Sequence, residues 1–364
     1  MAPQQSTDSN NSFTTYQVRK MALQSALARG KAFLTPRGST ESIPQSKSYI
    51  FPKVDPAIDG EDCDHDCATC EIQYPKGFKI DEEEKLYGHV NGWATHMLVA
   101  TGKTDWVKDV SDEKGSVMEA VRDCKVEPTN GTLMLSASNM PLPTDTTSLP
   151  PSQRPTTILL LPSFTYIDNV TPTTVPSLIT HTISTAPTTT TPLSPTPQPP
   201  PPAPPSPLTT RPCPHTHLIL LCSQRTRDAR CGQSAPLLKR EFERHLRPLG
   251  LLRDQHDDRP GGVGILFISH VGGHKFSANV MVYRRGVGER GRDDVEGGGK
   301  EGKGGEGLGD KGGAEGAAQC IWLARVRPED CEGIVKFTVL KGKVVKPERQ
   351  LRGGFDRGRG VVSW

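Results

Sequence analysis

The stretch GILFISHVGGHKFSANVMVY, residues 264–283, holds an apolar run that stops at Ser269-His270, then two glycines, a second histidine and another apolar run. The first run, Gly264 to Ile268, has the length and continuity of a strand buried on both faces. His270 and His274 stand four residues apart, with Gly272 and Gly273 between them. Two glycines disfavour a helix there, at about 1 kcal/mol each relative to alanine. They also permit a sharp turn and a close backbone approach. The two imidazoles are therefore expected to converge from a tight loop at a strand end.

A partner segment lies upstream. In HTHLILLCSQRTRDARCGQSAPLL, residues 215–238, a strand ends near Cys222 and a polar loop leads to Cys231. Cys222, Cys231, His270 and His274 would then share one edge of an α/β sheet, where sites in open sheets form. Soft thiolates with imidazoles suit zinc or an iron–sulfur cluster. On spacing alone, Cys222 reads equally as a buried strand cysteine.

Further out, Leu237, Leu238, Phe242 and Leu246 recur at helical spacing, with Gly250 as a stop. CIWLARV reads as a strand and RPEDCEGIVKFTVL as a helix. The order after 213 is β-α-β-β-β-α, a thioredoxin-like pattern. Residues 49–180 repeat strand and helix signals in THMLVATG, DEKGSVMEAVRD, GTLMLSAS and TTILLLPSFTYI. The fold class expected is α/β, as two thioredoxin-like domains, 49–180 and 213–364.

Between them, 12 of the 26 residues from 187 to 212 are proline, so 181–212 reads as an extended linker. Residues 286–317 hold 14 glycines and 13 charged residues, which reads as a disordered loop within a hairpin. Residues 1–48 are polar and in part basic, and read as a disordered or targeting tail.

The formal charge is +3, so nucleic acid is not an expected partner. No apolar run reaches membrane-spanning length. Cys63, Cys67 and Cys70 have CxxxCxxC spacing. The long βα series of a radical enzyme does not follow them. A zinc knot with His65, a thiol redox group and plain structural cysteines stay open for these three. His89 and His96 are taken as packing residues. No paired-carboxylate glycosidase arrangement and no nucleotide-binding glycine motif in a strand–helix context is found.

The stretches RDARCG, GGVGILFISHVGGHKFSANV, IWLARVRPEDCEGIVKFTVLKGKVV and LRGGFDRGRGVVSW resemble the fungal sucrase/ferredoxin-like family, as do CDHDCATCEIQYPKGF and LSASNMPLP. The resemblance spans about 49–170, 213–283 and 320–364. It implies that the C-terminal domain is a thioredoxin-like ferredoxin holding a [2Fe–2S] cluster. Cys222 and Cys231 would ligate one iron, and His270 and His274 the other. Neutral imidazoles in place of two thiolates would raise the potential above that of all-cysteine ferredoxins. Gln224 stands where the family often has histidine, outside the expected ligand set. The function implied is electron transfer or redox sensing with a redox partner protein, in the mitochondrion or cytoplasm. Two other readings stay open: an interaction protein with a structural metal site, and a thiol oxidoreductase using Cys63, Cys67 and Cys70. Whether a reaction is catalysed is left undecided.

Overall fold

The computed structural model describes residues 49–143, 148–193, 207–286 and 316–364. Among the described residues are twelve strands: β1 Thr95–Ala100, β2 Leu133–Ser138, β3 Thr156–Leu161, β4 Thr165–Val170, β5 Thr209–Pro212, β6 His217–Cys222, β7 Leu252–Arg253, β8 Val263–Ile268, β9 Val280–Arg285, β10 Ala317–Leu323, β11 Leu351–Asp356 and β12 Val361–Val362. All lie in one sheet, ordered β12-β11-β10-β9-β6-β8-β2-β1-β3-β4-β5, with β7 beside β8.

That order contains a repeat. In the first half β2 and β1 are parallel, and β1, β3 and β4 follow antiparallel. In the second half β8 and β6 are parallel, and β6, β9 and β10 follow antiparallel. Each half then closes with a helical segment of the same make-up. Pro172–Thr174 is 3-10, Val175–Leu178 α and Ile179–Ile183 π; Pro328–Asp330, Cys331–Gly333 and Ile334–Val339 repeat the series. Both segments start with a backbone N–H donating to a side chain three residues on: Thr171 to Thr174 Oγ1 at 3.0 Å, and Arg327 to Asp330 Oδ2 at 2.7 Å.

The halves meet strand to strand. Ser138 pairs with Ile268 across β2 and β8. Asn139 N–H donates to the Phe267 carbonyl at 3.1 Å, and Ser269 N–H donates to the Ala137 carbonyl at 2.9 Å. Side chains complete the ladder: Asn139 Oδ1 accepts from Phe267 N–H at 2.8 Å, and Ser269 Oγ from Ala137 N–H at 3.0 Å. Positions 137, 138 and 139 thus exchange with 267, 268 and 269 in a local two-fold.

Two separate α/β domains were expected; residues 49–364 instead form one compact unit around this sheet. An edge strand exposes unpaired N–H and C=O groups, and each half satisfies the other's. The compact unit starts at 49 as expected, but the residues that follow do not stay with the first half. Val54 N–H donates to the Val344 carbonyl, Cys67 N–H to Glu329, and the Tyr74 hydroxyl to Val326 at 2.7 Å, so the leading segment packs on the second half. The 181–212 linker is only partly one. Thr189 is buried, its hydroxyl donating to the Trp93 carbonyl at 2.6 Å, and Thr209–Pro212 pairs with β4. Residues 194–206 of it, the tail 1–48 and loop residues 287–315 lie outside the described residues, though Arg285 and Ala317 flanking that loop are paired.

The central strands are buried on both faces, which is why they read as unbroken apolar runs. On β6, Ile219 and Leu221 pack on one face with Phe242 of the helix Ala229–Leu246, while Leu218 and Leu220 pack on the other with Trp322 and Tyr283. Each such side chain contributes roughly 1.5–3 kcal/mol when fully buried. The helix begins at Ala229, earlier than the apolar spacing suggests, capped by Asp228, whose carboxylate accepts from Arg230 N–H at 2.9 Å.

His96 on β1 is fully buried. Its Nδ1 lies 3.0 Å from the Tyr283 hydroxyl and its Nε2 3.0 Å from Ser136 Oγ. It is a packing residue, and burial lowers its pKa to about 3. In the unfolded chain a histidine takes up its proton near pH 6.5. The unfolded state therefore binds more protons as pH falls from 6.5 toward 3, and stability falls with it. From pH 7 to pH 5 the loss from His96 is about 2 kcal/mol. Urea unfolding at both pH values should show His96→Gln losing less stability than the parent by that amount; parallel losses would show that His96 is not held neutral.

Candidate metal centre

β6 and β8 run parallel and end level, Cys222 opposite Ile268. Cys222 closes β6, and His270 follows β8 by two residues. Cys231 was expected on the far side of the polar loop after β6, and it lies there in the first turn of the helix Ala229–Leu246. A helix N-terminus favours a thiolate there, because unpaired backbone N–H groups point toward it. The Sγ atoms of Cys222 and Cys231 and a ring nitrogen of His270 all lie within 4.8 Å of one another. Cys222 Sγ is 3.8 Å from His270 Nδ1. Both cysteines are buried and His270 is half-buried. His274 opens the 3-10 turn His274–Phe276, and its side chain lies outside the described residues.

Hydrogen bonding from Cys222, with help from His270, lowers the Cys231 pKa to about 6, and the same bond with burial raises Cys222 well above the ordinary thiol range.

Three further residues build the site: the sequence set Gln224 outside the ligand set, and its patterns did not point to Asn279 or Arg352. Gln224 Oε1 accepts from His270 N–H at 2.8 Å while its amide donates to the Val107 carbonyl, so it pins the histidine loop to the first half. Asn279 accepts from Cys222 N–H through its backbone carbonyl at 3.3 Å and donates from Nδ2 to the Gly273 carbonyl at 3.1 Å. Arg352, on β11, is 4% exposed. Its Nη1 donates to Gly272 O at 3.1 Å and Asn279 Oδ1 at 2.8 Å, and its guanidinium lies 4.3 Å from the Trp322 ring centre. Among the described residues no carboxylate pairs with it, and its Nε has no partner. Burial lowers its pKa to about 10, which leaves it charged at neutral pH; the Cys222 thiol acts on it from the opposite direction. A buried cation without a carboxylate is costly unless an anion lies near.

Arg352 also bears on one of the two glycines, Gly273. Gly272 and Gly273 have φ of 89° and 66°, and a Cβ at 273 would meet Arg352 Nη2 at 2.7 Å.

The N-terminal cysteines divide. Cys63 packs with Val54, Phe337 and Val345, a structural place. His65 is exposed beside Asp62, 3.0 Å from Nδ1, so it forms no knot with them. Cys67 instead meets His245 and Glu332. The first half carries no thiol or imidazole at the equivalent strand ends: Ala100 stands where Cys222 does, and Met140 where His270 does. Among the described residues no helix is long and apolar enough to cross a membrane.

Fold and site together define an α/β protein in which two thiols and an imidazole meet at one edge of a buried parallel strand pair, beside an uncompensated arginine. The chain belongs to the sucrase/ferredoxin-like family, whose pattern matches residues 86–353. It is 30% identical over 264 residues to actin patches distal protein 1 of Saccharomyces cerevisiae, covering 66% of this chain and 77% of that protein. It is also 30% identical to altered inheritance of mitochondria protein 32 of Clavispora lusitaniae over 132 residues and of Meyerozyma guilliermondii over 146. The chain spans about a third of those two proteins, 33% and 35%. No solved structure matches it.

Proposed function

We propose that the chain binds a [2Fe–2S] cluster and serves electron transfer or redox sensing, with Cys222 and Cys231 on one iron and His270 and His274 on the other. The carrying observation is the convergence of Cys222, Cys231 and His270 from three elements onto one buried spot beside Arg352. The donor set fits: soft sulfur with imidazole nitrogen suits iron–sulfur ligation. When bound, such a cluster supplies a one-electron couple. The protein's part is to bind and orient. Arg352 offsets the negative charge of the thiolates, Gln224 fixes the His270 backbone, and β6 and β8 exclude water from the sulfurs. His270 is the half-buried member, so a redox partner protein would approach on its side. The β-α-β-β-β-α order of the second half supports the thioredoxin-like ferredoxin reading. The names of its relatives, which refer to actin patches and to inheritance of mitochondria, fit a mitochondrial or cytoplasmic place.

One observation favours a second reading, a single structural ion such as zinc. Two ligands at about 2.3 and 2.0 Å from one tetrahedral ion lie roughly 3.5 Å apart, near the 3.8 Å between Cys222 Sγ and His270 Nδ1. Metal and acid-labile sulfide analysis of protein purified without oxygen separates them. Two irons and two sulfides per chain with visible absorption are expected from this ligand set. A colourless protein with one zinc would replace the cluster with the structural ion.

A further inference from the structure

The helix Ala229–Leu246 carries Cys231 in its first turn and Arg244 and His245 in its last, about 21 Å away along its axis. At that far end sits a second sulfur, Cys67. Arg244 Nη2 donates to Cys67 Sγ at 3.4 Å. His245 Nε2 is 3.9 Å from the same sulfur and Thr69 Oγ1 3.4 Å. The Glu332 carboxylate lies within 4.8 Å of both Cys67 Sγ and the His245 ring nitrogen. Arg244 Nη2 also reaches His245 Nε2 at 3.1 Å and Glu241 Oε2 at 2.8 Å. The place between sulfur and imidazole that a metal ion would take is thus served by a guanidinium. A guanidinium hydrogen-bonded to the sulfur can steady the negative charge that develops there during attack. The His245 Nε2 lone pair already accepts from Arg244, so the acceptor that stands ready for the thiol proton is the Glu332 carboxylate. Burial, helped by Arg244, holds His245 below its ordinary pKa and so neutral.

The second thiol is close by. Cys70 N–H donates to the Cys67 carbonyl at 3.3 Å, closing a turn over Cys67-Ala-Thr-Cys70. Cys70 is half-buried, and Cys67 retains 9% exposure.

We propose that Cys67 and Cys70 form a dithiol–disulfide couple, a second redox centre apart from Cys222, Cys231 and the histidines. Its co-reactant is a disulfide, either a small glutathione-type molecule or one borne by a protein. The Cys67 proton passes to the Glu332 carboxylate, and the thiolate attacks one sulfur of that disulfide. A mixed disulfide forms and one thiolate leaves. Cys70 then gives its proton to that thiolate and attacks Cys67 Sγ, expelling the second thiolate, which takes the proton held on Glu332. The co-reactant gains two electrons and becomes two thiols; Cys67 and Cys70 lose two and become a disulfide. Nothing in this couple depends on what the Cys222 site binds.

The test uses the full reduced chain. Oxidised glutathione is added at pH 7, and differential alkylation with peptide mass analysis maps the products. A Cys67–Cys70 disulfide is expected. Iodoacetamide should label Cys67 faster than half-buried Cys124. Arg244→Gln should slow that labelling about tenfold, the size expected for one lost charge-assisted hydrogen bond, while Arg244→Lys retains most of the rate. Cys67→Ser should leave the metal content of the Cys222 site unchanged. Labelling of Cys67 no faster than Cys124 and no disulfide would overturn the proposal. So would one zinc per chain that blocks labelling and is lost in Cys67→Ser, which would make the cluster a metal site.

Discussion

Cys231→Ser is expected to empty the centre at the edge of β6 and β8. Cys231 lies in the first turn of the helix Ala229–Leu246, buried, with Cys222 and His270 around one spot. A hydroxyl is a hard, weakly acidic ligand where a soft thiolate is needed. Losing even an outer-shell partner costs 10- to 100-fold in metal affinity, so the loss of a direct ligand should exceed about tenfold. Iron and sulfide per chain should fall to background, and visible absorption with them. The fold should persist, because serine nearly matches cysteine in volume and Ser277 Oγ stands 3.9 Å away as a partner. Cys124→Ser, in the first half, is the control and should keep full content. If Cys231→Ser retains the iron and the spectrum of the parent, Cys231 is not a ligand and the site must be reassigned.

Gly354→Ala is expected to be the most destabilising single methyl in the sheet. Gly354 sits in β11 with φ of 142°, and an added Cβ would stand 1.9 Å from the Cys320 carbonyl oxygen on β10. Backbone cannot swing aside as a side chain can, so β10 and β11 would have to part. That strand also carries Arg352 toward the centre. A cost above about 4 kcal/mol is expected, in the exceptional range for one substitution. Gly360→Ala is the comparison: its φ is 64° but nothing lies within 4 Å of the added carbon. It should cost only about 1 kcal/mol, the conformational part alone. Urea midpoints decide: similar values for the two variants would show that the close approach of β10 and β11 is not a constraint.

Local pattern revealed much of the frame. Ile219 to Leu221 and Ile265 to Ile268 are buried on both faces, and such strands must be apolar at every position. The helix Ala229–Leu246 showed itself through Leu238, Phe242 and Leu246, which recur on its buried face. Three ligand candidates, Cys222, Cys231 and His270, were legible because parallel strands end on one edge and the residue types are those of soft-metal chemistry.

Other features left no local trace. β11 reads LRGGFD, with two glycines and a charge at each side, yet every residue of it is buried. Its glycines let neighbouring backbone approach: Gly354 the Cys320 carbonyl, 34 residues earlier on β10, and Gly353 the Ser363 carbonyl, ten residues later. β5 is hidden in a proline-rich stretch because an edge strand needs few side-chain preferences and tolerates proline. Cys67 lies far along the chain from Arg244 and His245, and no spacing rule links them.

What the sequence determined by itself was the central strands, the helix that follows β6, the β-α-β-β-β-α order of the second half and the residues able to hold a metal, since periodicity and residue chemistry are properties of short stretches. The tertiary structure alone decided that the two halves share one sheet through β2 and β8, that Val54, Cys67 and Tyr74 ahead of β1 pack on the second half, and that Arg352, Asn279 and Gln224 surround the centre. Those outcomes depend on which edges find hydrogen-bond partners and which buried charge lies near which sulfur, and such pairings form between residues that no local pattern connects.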